Sequence, residues 1–289
     1  MYWLSRAGLL LFSLFCAAGA AAGGFLLLCA GGFLNPDALL SRREEASVAV
    51  SAPAVQEAPS GAFQGIFLPA EAAEQAAFLS AGCSGVLVPM KTEEGLLEYV
   101  SALEEAANWQ ASSGDPQRNQ ALRTLTAQPG LHTVAVVSCL RDGLAGREPA
   151  FALLRPSGSP WLDNTGTPWL DPAQPEVQAY LIGVCREIAL LGFDEILLTH
   201  CAYPPTAELQ REPHRDRAAE LETFCRQLQG ALADLPVSLS ILGEADALQD
   251  QAPSGQSAGL LASFPGQVWA KREDSAALAA FAPVLLPET

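Results

Sequence analysis

The side chains able to move a proton sit where short apolar runs end. Glu244 follows Pro236–Leu242 (PVSLSIL), Asp142 follows Thr133–Leu140 (TVAVVSCL), and His200 follows Ile196-Leu197-Leu198 and Thr199. A carboxyl can act as general acid or base, and a histidine can shuttle a proton or bind a metal. Glu244 is the best-placed acid and the one weak catalytic candidate, with Asp142 or Glu273 as a conceivable partner. Asp142 reads equally well as a loop cap. Asp194 and Glu195 precede their run, so they read as turn and cap residues at the opposite edge. Glu187, beside Arg186, reads as solvated or salt-bridged. His132 and His214 stand at no ligand spacing from His200, so His200 also fits a packing or hydrogen-bonding role. Cys201 and Ser238 have no histidine–acid partner order, and Cys201-Ala202-Tyr203 lacks a nucleophile elbow. The seven cysteines contain no CxxC and no paired spacing; they fit a small-residue core role better than zinc or a disulfide framework. No cofactor or metal is implied.

The elements that must position these groups are legible around Trp169–Pro204. From Pro175, apolar residues recur at Val177, Tyr180, Leu181, Val184, Ile188 and Leu191, the spacing of one helix face. Pro175 suits the first helical turn and Gly192 the position after the last. The run Ile196-Leu197-Leu198 then suits a strand covered on both faces, as in a parallel sheet, whose C-terminal end carries ligand sites. The same alternation extends over the chain. Strands are expected at Gln64–Pro69, Gly85–Lys91, Thr133–Leu140, Ile196–Leu198, Pro236–Leu242, Gln267–Lys271 and Pro283–Leu286. Helices are expected at Ala70–Ala81, Glu93–Trp109, Gln120–Ala127, Pro175–Leu191, Ala218–Leu235, Ser257–Ala262 and Ser275–Phe281. A long loop, Arg141–Pro172, holds Trp161 and Trp169. Seven strand candidates point to an α/β fold, a parallel (β/α) TIM-like barrel that is incomplete. QGIFLPAE, the stretch at the first strand, offers no GxGxxG, which disfavours dinucleotide binding.

Ala7–Leu34 carries no charge, and about 20 apolar residues cross a bilayer. This run is expected to be a transmembrane helix or signal anchor after a short tail of residues 1–6. Arg6 favours an inside N-terminus and Arg42-Arg43 oppose it; the reading adopted is N-in, with the domain outside. Residues 35–61, small, polar and proline-bearing, are expected to be a linker, and 62–289 the barrel domain. The balance of 32 acids against 16 bases, net −16, lacks the basic footprint of a nucleic-acid binder.

Three stretches, WLDNTGTPWLDP (Trp161–Pro172), PEVQAYLIGVCREIALLGFDEI (Pro175–Ile196) and Tyr203-Pro204, resemble a family of bacterial glycoside hydrolase-like (β/α)-barrel proteins, often membrane-anchored. Weaker likenesses are QGIFLP, VLVPMK, VVSCLRD, Leu242-Gly243 and Gly255-Gln256, so the resemblance runs over about residues 62–270. It implies a barrel and sugar chemistry at the strand ends. It also implies aspartates where this chain has Pro89, Thr199 and Ser240, and arginines where it has Val136 and Ala202. Glycoside hydrolysis needs two carboxyls flanking one bond; a proline, a threonine and a serine cannot supply them. The expectation is a degenerate barrel that binds a glycan or an envelope partner through Trp161, Trp169, Lys91, His200 and Tyr203. The alternatives are an active hydrolase with displaced carboxylates, or a purely structural envelope module.

Overall fold

The computed structural model describes residues 65–73, 83–204, 209 and 215–287. All belong to one compact unit, Pro53–Thr289. The expected membrane span and linker lie outside the described residues, as does most of the helix expected at Ala70–Ala81. Among the described residues no helix is long and apolar enough to cross a membrane.

Seven strands form one parallel sheet in sequential order: β1 (Gly65–Phe67), β2 (Gly85–Lys91), β3 (His132–Ser138), β4 (Glu195–Thr199), β5 (Ser238–Leu242), β6 (Val268–Ala270) and β7 (Val284–Leu285). The sheet curls into a half-barrel with β1 and β7 as its edges. Both edges are short, which limits the unpaired backbone they present. Side chains alternate across the pleat. Leu87, Val134, Leu197, Leu242 and Trp269 pack together on the concave side, with Phe67, Val136 and Val284 partly buried against them. Val86, Val88, Ala135, Val137, Ile196, Leu198, Leu239 and Ile241 join the larger core beneath the helices.

The helices are α1 (Glu104–Asn108), α2 (Arg118–Thr126), α3 (Pro175–Leu190), α4 (Arg217–Leu232) and α5 (Ala258–Ala262). In α3 the buried set includes Val177, Tyr180, Leu181, Val184 and Ile188, the face expected from spacing. Gly192 stops it at φ +96°, and a Cβ there would meet Thr126 Oγ1 at 2.9 Å. That hydroxyl donates to the Leu191 carbonyl at 2.8 Å, so the tight stop also fastens α2 to α3. Asp216 caps α4 by accepting from the Ala219 amide at 3.0 Å, and Ser257 caps α5 by accepting from Leu260 at 3.0 Å.

Two expected helices shrink. Only Glu104–Asn108 of the stretch Glu93–Trp109 is helical. Gly95 turns the chain at φ +91°, where a Cβ would stand 2.3 Å from an Asp142 oxygen. Beyond it Leu97 and Tyr99 are buried while Leu96 and Val100 are exposed, an alternation of two rather than 3.6. Glu187 in α3 then captures the segment: it accepts from Tyr99 Oη at 2.9 Å, Ser101 Oγ at 2.6 Å and the Ala102 amide at 2.8 Å. Glu187 is therefore a strap for this loop rather than a partner of Arg186, which pairs with Asp234 at 3.0 Å. Ser275–Phe281 is likewise mostly turn, with a short 3-10 helix at Ala279–Phe281.

Candidate functional site

The strand C-terminal ends converge on a mouth closed over by the β3–α3 excursion. Arg141, just past β3, is its hub. Its Nε donates to Asp163 Oδ2 at 2.7 Å, one terminal nitrogen donates to Thr165 Oγ1 at 2.7 Å, and the other is ion-paired with Glu93. Asp163 is saturated. It also accepts from the amides of Thr165 and Thr167 at 2.9 and 3.0 Å, and from Trp169 Nε1 at 3.3 Å. Burial alone would raise its pKa. The bonds from Thr165 and Arg141, with those amides, outweigh burial and hold the carboxyl well below the usual range.

Trp161, Trp169 and His200 form an edge-to-face series, with centroids 6.3 and 5.8 Å apart. His200 takes a left-handed backbone at φ +50°. Its Nδ1 lies 3.3 Å from Ser138 Oγ and its Nε2 3.5 Å from Glu93. Burial, then the positive charges of Arg141, Lys271 and Lys91, push its pKa down to about 4, so the ring is neutral at pH 7. Three of the five expected ligand contacts, Trp161, Trp169 and His200, thus come together.

The other two do not join them. Lys91 ends β2, yet its side chain is fully buried rather than spread on the surface. Nζ sits 2.9 Å from Asp142 Oδ2 and donates to the Ser138 carbonyl at 2.7 Å. Asp142 in turn accepts from the amides of Leu144 and Ala145 at 2.9 and 2.8 Å, the loop-capping role its position suggested. Tyr203 is buried; its hydroxyl donates to Glu220 at 2.6 Å, and the guanidiniums of Arg215 and Arg217 lie over its ring.

Glu244 follows β5 at the mouth. Its amide donates to Gln256 Oε1 at 2.7 Å, and Gln256 Nε2 donates to the carbonyls of Cys201 and Leu242, both at 3.1 Å. The Gly255-Gln256 pair therefore stitches the ends of β4 and β5 together. Burial raises the Glu244 pKa, Lys271 opposes it, and Asp246 and Asp274 add to it. A carboxyl of that kind can hold a proton nearer neutrality.

The replaced positions show a pattern that one-dimensional spacing hides. Pro89 pairs with Val136, Val136 with Leu197, and Leu197 with Ser240, so they form one register row across four strands. Thr199 lies one pleat further on. Its hydroxyl donates to the Val137 carbonyl at 3.3 Å, and Ser240 Oγ accepts from the Gln267 amide at 2.7 Å.

With this geometry in view, the model of a family described as "putative glycosyl hydrolase domain" matches residues 79–264, more than half of the chain. The chain belongs to this glycosyl hydrolase domain family. Among solved structures, the glycoside hydrolase domain of PgaB (BpsB) from Bordetella bronchiseptica is similar at 11% identity and a TM-score of 0.55, covering 78% of this chain and 83% of that one. A hypothetical protein from Ruminiclostridium thermocellum is similar at 20% identity and a TM-score of 0.52, covering 61% of this chain and 96% of that one. These likenesses concern the fold. No curated protein sequence matches the chain. Within the glycosyl hydrolase domain family, the mouth described above is the place where chemistry is expected, because βα loops at strand C-termini carry the sites of barrel enzymes.

Sequence reasoning passed over Glu93, Arg141 and Asp163. The signal for Asp163 was present in Asp163-Asn164-Thr165-Gly166, a turn in which the aspartate bonds its own backbone two and four residues on. Arg141 stood unremarked within VVSCLRD. Glu93 had no signal, because it was placed inside a helix that does not form.

Proposed function

We propose that this chain is a membrane-anchored, extracytoplasmic member of the family that has lost hydrolysis and binds a glycan or an envelope partner at the mouth. The observation that carries the reading is the register row Pro89–Val136–Leu197–Ser240. The resemblance implies aspartate, arginine and aspartate at Pro89, Val136 and Ser240, so three of the five replaced positions share this row, with Thr199 and Ala202 outside it. The acids that remain near Arg141 are committed. Glu93 and Asp163 both neutralise that guanidinium, and Asp163 has no free lone pair to offer as base or nucleophile. Trp161 and Trp169 are kept, and Trp161, partly exposed over the buried Trp169, supplies an aromatic face of the kind on which sugar rings stack.

The test is a hydrolysis assay and a tryptophan-fluorescence titration of the full chain, solubilised in mild detergent, against a glycan panel. The expected result is quenching without turnover. Robust turnover that disappears in Glu244→Gln would overturn it in favour of an active hydrolase with displaced carboxylates. The raised pKa of Glu244 beside Lys271 is the observation that favours this second reading. No quenching by any glycan would leave a structural module.

A further inference from the structure

The excursion that closes the mouth has a second face. Antiparallel bridges Ala152↔Leu170, Leu154↔Pro160 and Leu162↔Pro168 make it a ribbon, in which neighbouring side chains point to opposite sides. Trp161, Asp163, Thr167 and Trp169 face the mouth and engage Arg141, His200 or one another. Pro160, Leu162 and Pro168 face away. With Arg147, Arg155 and Ser159 they line a cleft of about 480 Å³. That volume lies within the range of small-ligand sites.

Two cations share this cleft. In a chain of net −16, a carboxylate partner is easy to find. Lys91, Arg118, Arg141, Arg186, Arg215 and Arg226 each have one. Among the described residues Arg147 and Arg155, like Arg123 and Lys271, have none, and these two arginines are exposed along the same cleft. A guanidinium fork matches the oxygens of a carboxylate or a phosphate with two parallel N–H bonds. Leu162, 41% exposed, and the two prolines offer an apolar wall beside that charge. Charge for an oxyanion beside apolar surface for a ring's C–H face is the chemistry of an acidic sugar unit.

We propose that this outward cleft is a binding subsite for an acidic sugar unit, whose oxyanion is held by Arg147 and Arg155. The ligand class rests on the glycan reading of the mouth; the location does not. The oxyanion has two sources, the carboxylate of a uronic acid or the phosphate diester of a sugar- or glycerol-phosphate chain. Calorimetric titration of the full chain in mild detergent, at low and at 0.5 M salt, separates them. The probes are a short oligogalacturonate, a short glycerol-phosphate oligomer and a neutral cello-oligosaccharide. At least one anionic probe is expected to bind more tightly than the neutral one. High salt is expected to weaken it several-fold, and the double variant Arg147→Gln/Arg155→Gln to weaken it about tenfold or more. Because both side chains are exposed, the variant should keep the wild-type melting temperature. Binding by only one anionic probe names the source. Equal binding of neutral and anionic probes, no anionic binding at low salt, or unchanged binding in the double variant would overturn the proposal. Neutral-glycan quenching at Trp161 and Trp169 would still report on the mouth separately.

Discussion

The half-barrel is closed at its two ends by charge networks of opposite construction. At the base, Glu195 is 2% exposed. Its two oxygens hold His132 Nε2 at 2.8 Å and Trp269 Nε1 at 2.7 Å, which links β3, β4 and β6 across the concave interior. Asp194 beside it accepts from the amide and hydroxyl of Thr133, both at 2.8 Å. At the mouth, Glu93 is 43% exposed and Arg141 shares itself among Glu93, Asp163 and Thr165. At the base the central carboxylate is buried and bridges two strands' side chains, with Asp194 beside it partly exposed. The Arg141 cluster at the mouth is partly wet and its groups share partners, although the Lys91–Asp142 pair at the same strand ends is fully buried. Low dielectric makes an unpaired charge costly, so the buried Glu195 network serves stability, while Glu93 in the mouth network is reached by solvent.

The largest effect that would break this comparison is at the buried pairs. Glu195→Leu removes the buried carboxylate that His132 Nε2 and Trp269 Nε1 share, and Lys91→Met removes the ion-pair partner of the fully buried Asp142. Each should cost about 3–5 kcal/mol. That corresponds to roughly 6–20 °C in melting temperature for a domain of this size, read by thermal circular dichroism. A loss under about 1 kcal/mol for Glu195→Leu would mean that the base is no more demanding than the mouth.

A medium effect comes from pH, because the two histidines have opposite signs. Burial would lower the His132 pKa, but the hydrogen bond and charge of Glu195, with Asp194, outweigh it and raise it. Its contribution is therefore complete below its unfolded value, about 6.5, and is lost as pH rises through the folded value. His200 is held down to about 4. Folding is then disfavoured as pH falls from about 6.5 toward 4, where the unfolded chain takes up a proton that the folded chain refuses. In melting temperature against pH, His132→Gln should flatten the alkaline limb and His200→Asn the acid limb. Asparagine tolerates the left-handed backbone at that position. Identical profiles for the two variants would erase the distinction between the ends.

The smallest effect sharpens the comparison from outside it. Arg226 and Glu222 form an exposed i, i+4 pair at 2.6 Å on α4. Arg226→Ala should change stability by less than about 0.5 kcal/mol. A larger loss would show that exposed ion pairs here carry weight comparable to the sealed ones.

Much of the frame could be read before the structure. The helix Pro175–Leu190 follows from a local period of 3.6 and the strands from short apolar runs, and Pro175 and Gly192 mark the helix ends by backbone preference alone. The helix expected over Glu93–Trp109 failed because its apolar residues fit both periods, and a distant residue, Glu187, bonds the extended form. Lys91 and Tyr203 are expected ligand contacts by their place at the strand ends, yet both are buried. Their burial depends on Asp142 and Glu220, residues 51 and 17 positions away.

The sequence by itself determined the alternation of strands and helices, the acidic balance and the identities at the strand ends, because these depend on residue type and near neighbours. Only the tertiary structure decided that Pro89, Val136, Leu197 and Ser240 share a row, that Arg141 gathers Glu93 and Asp163, and that Arg147 and Arg155 come to line one cleft with Leu162. Strand register and loop docking join residues far apart in the chain. Those contacts are set by what the assembled sheet buries and which charges it can pair.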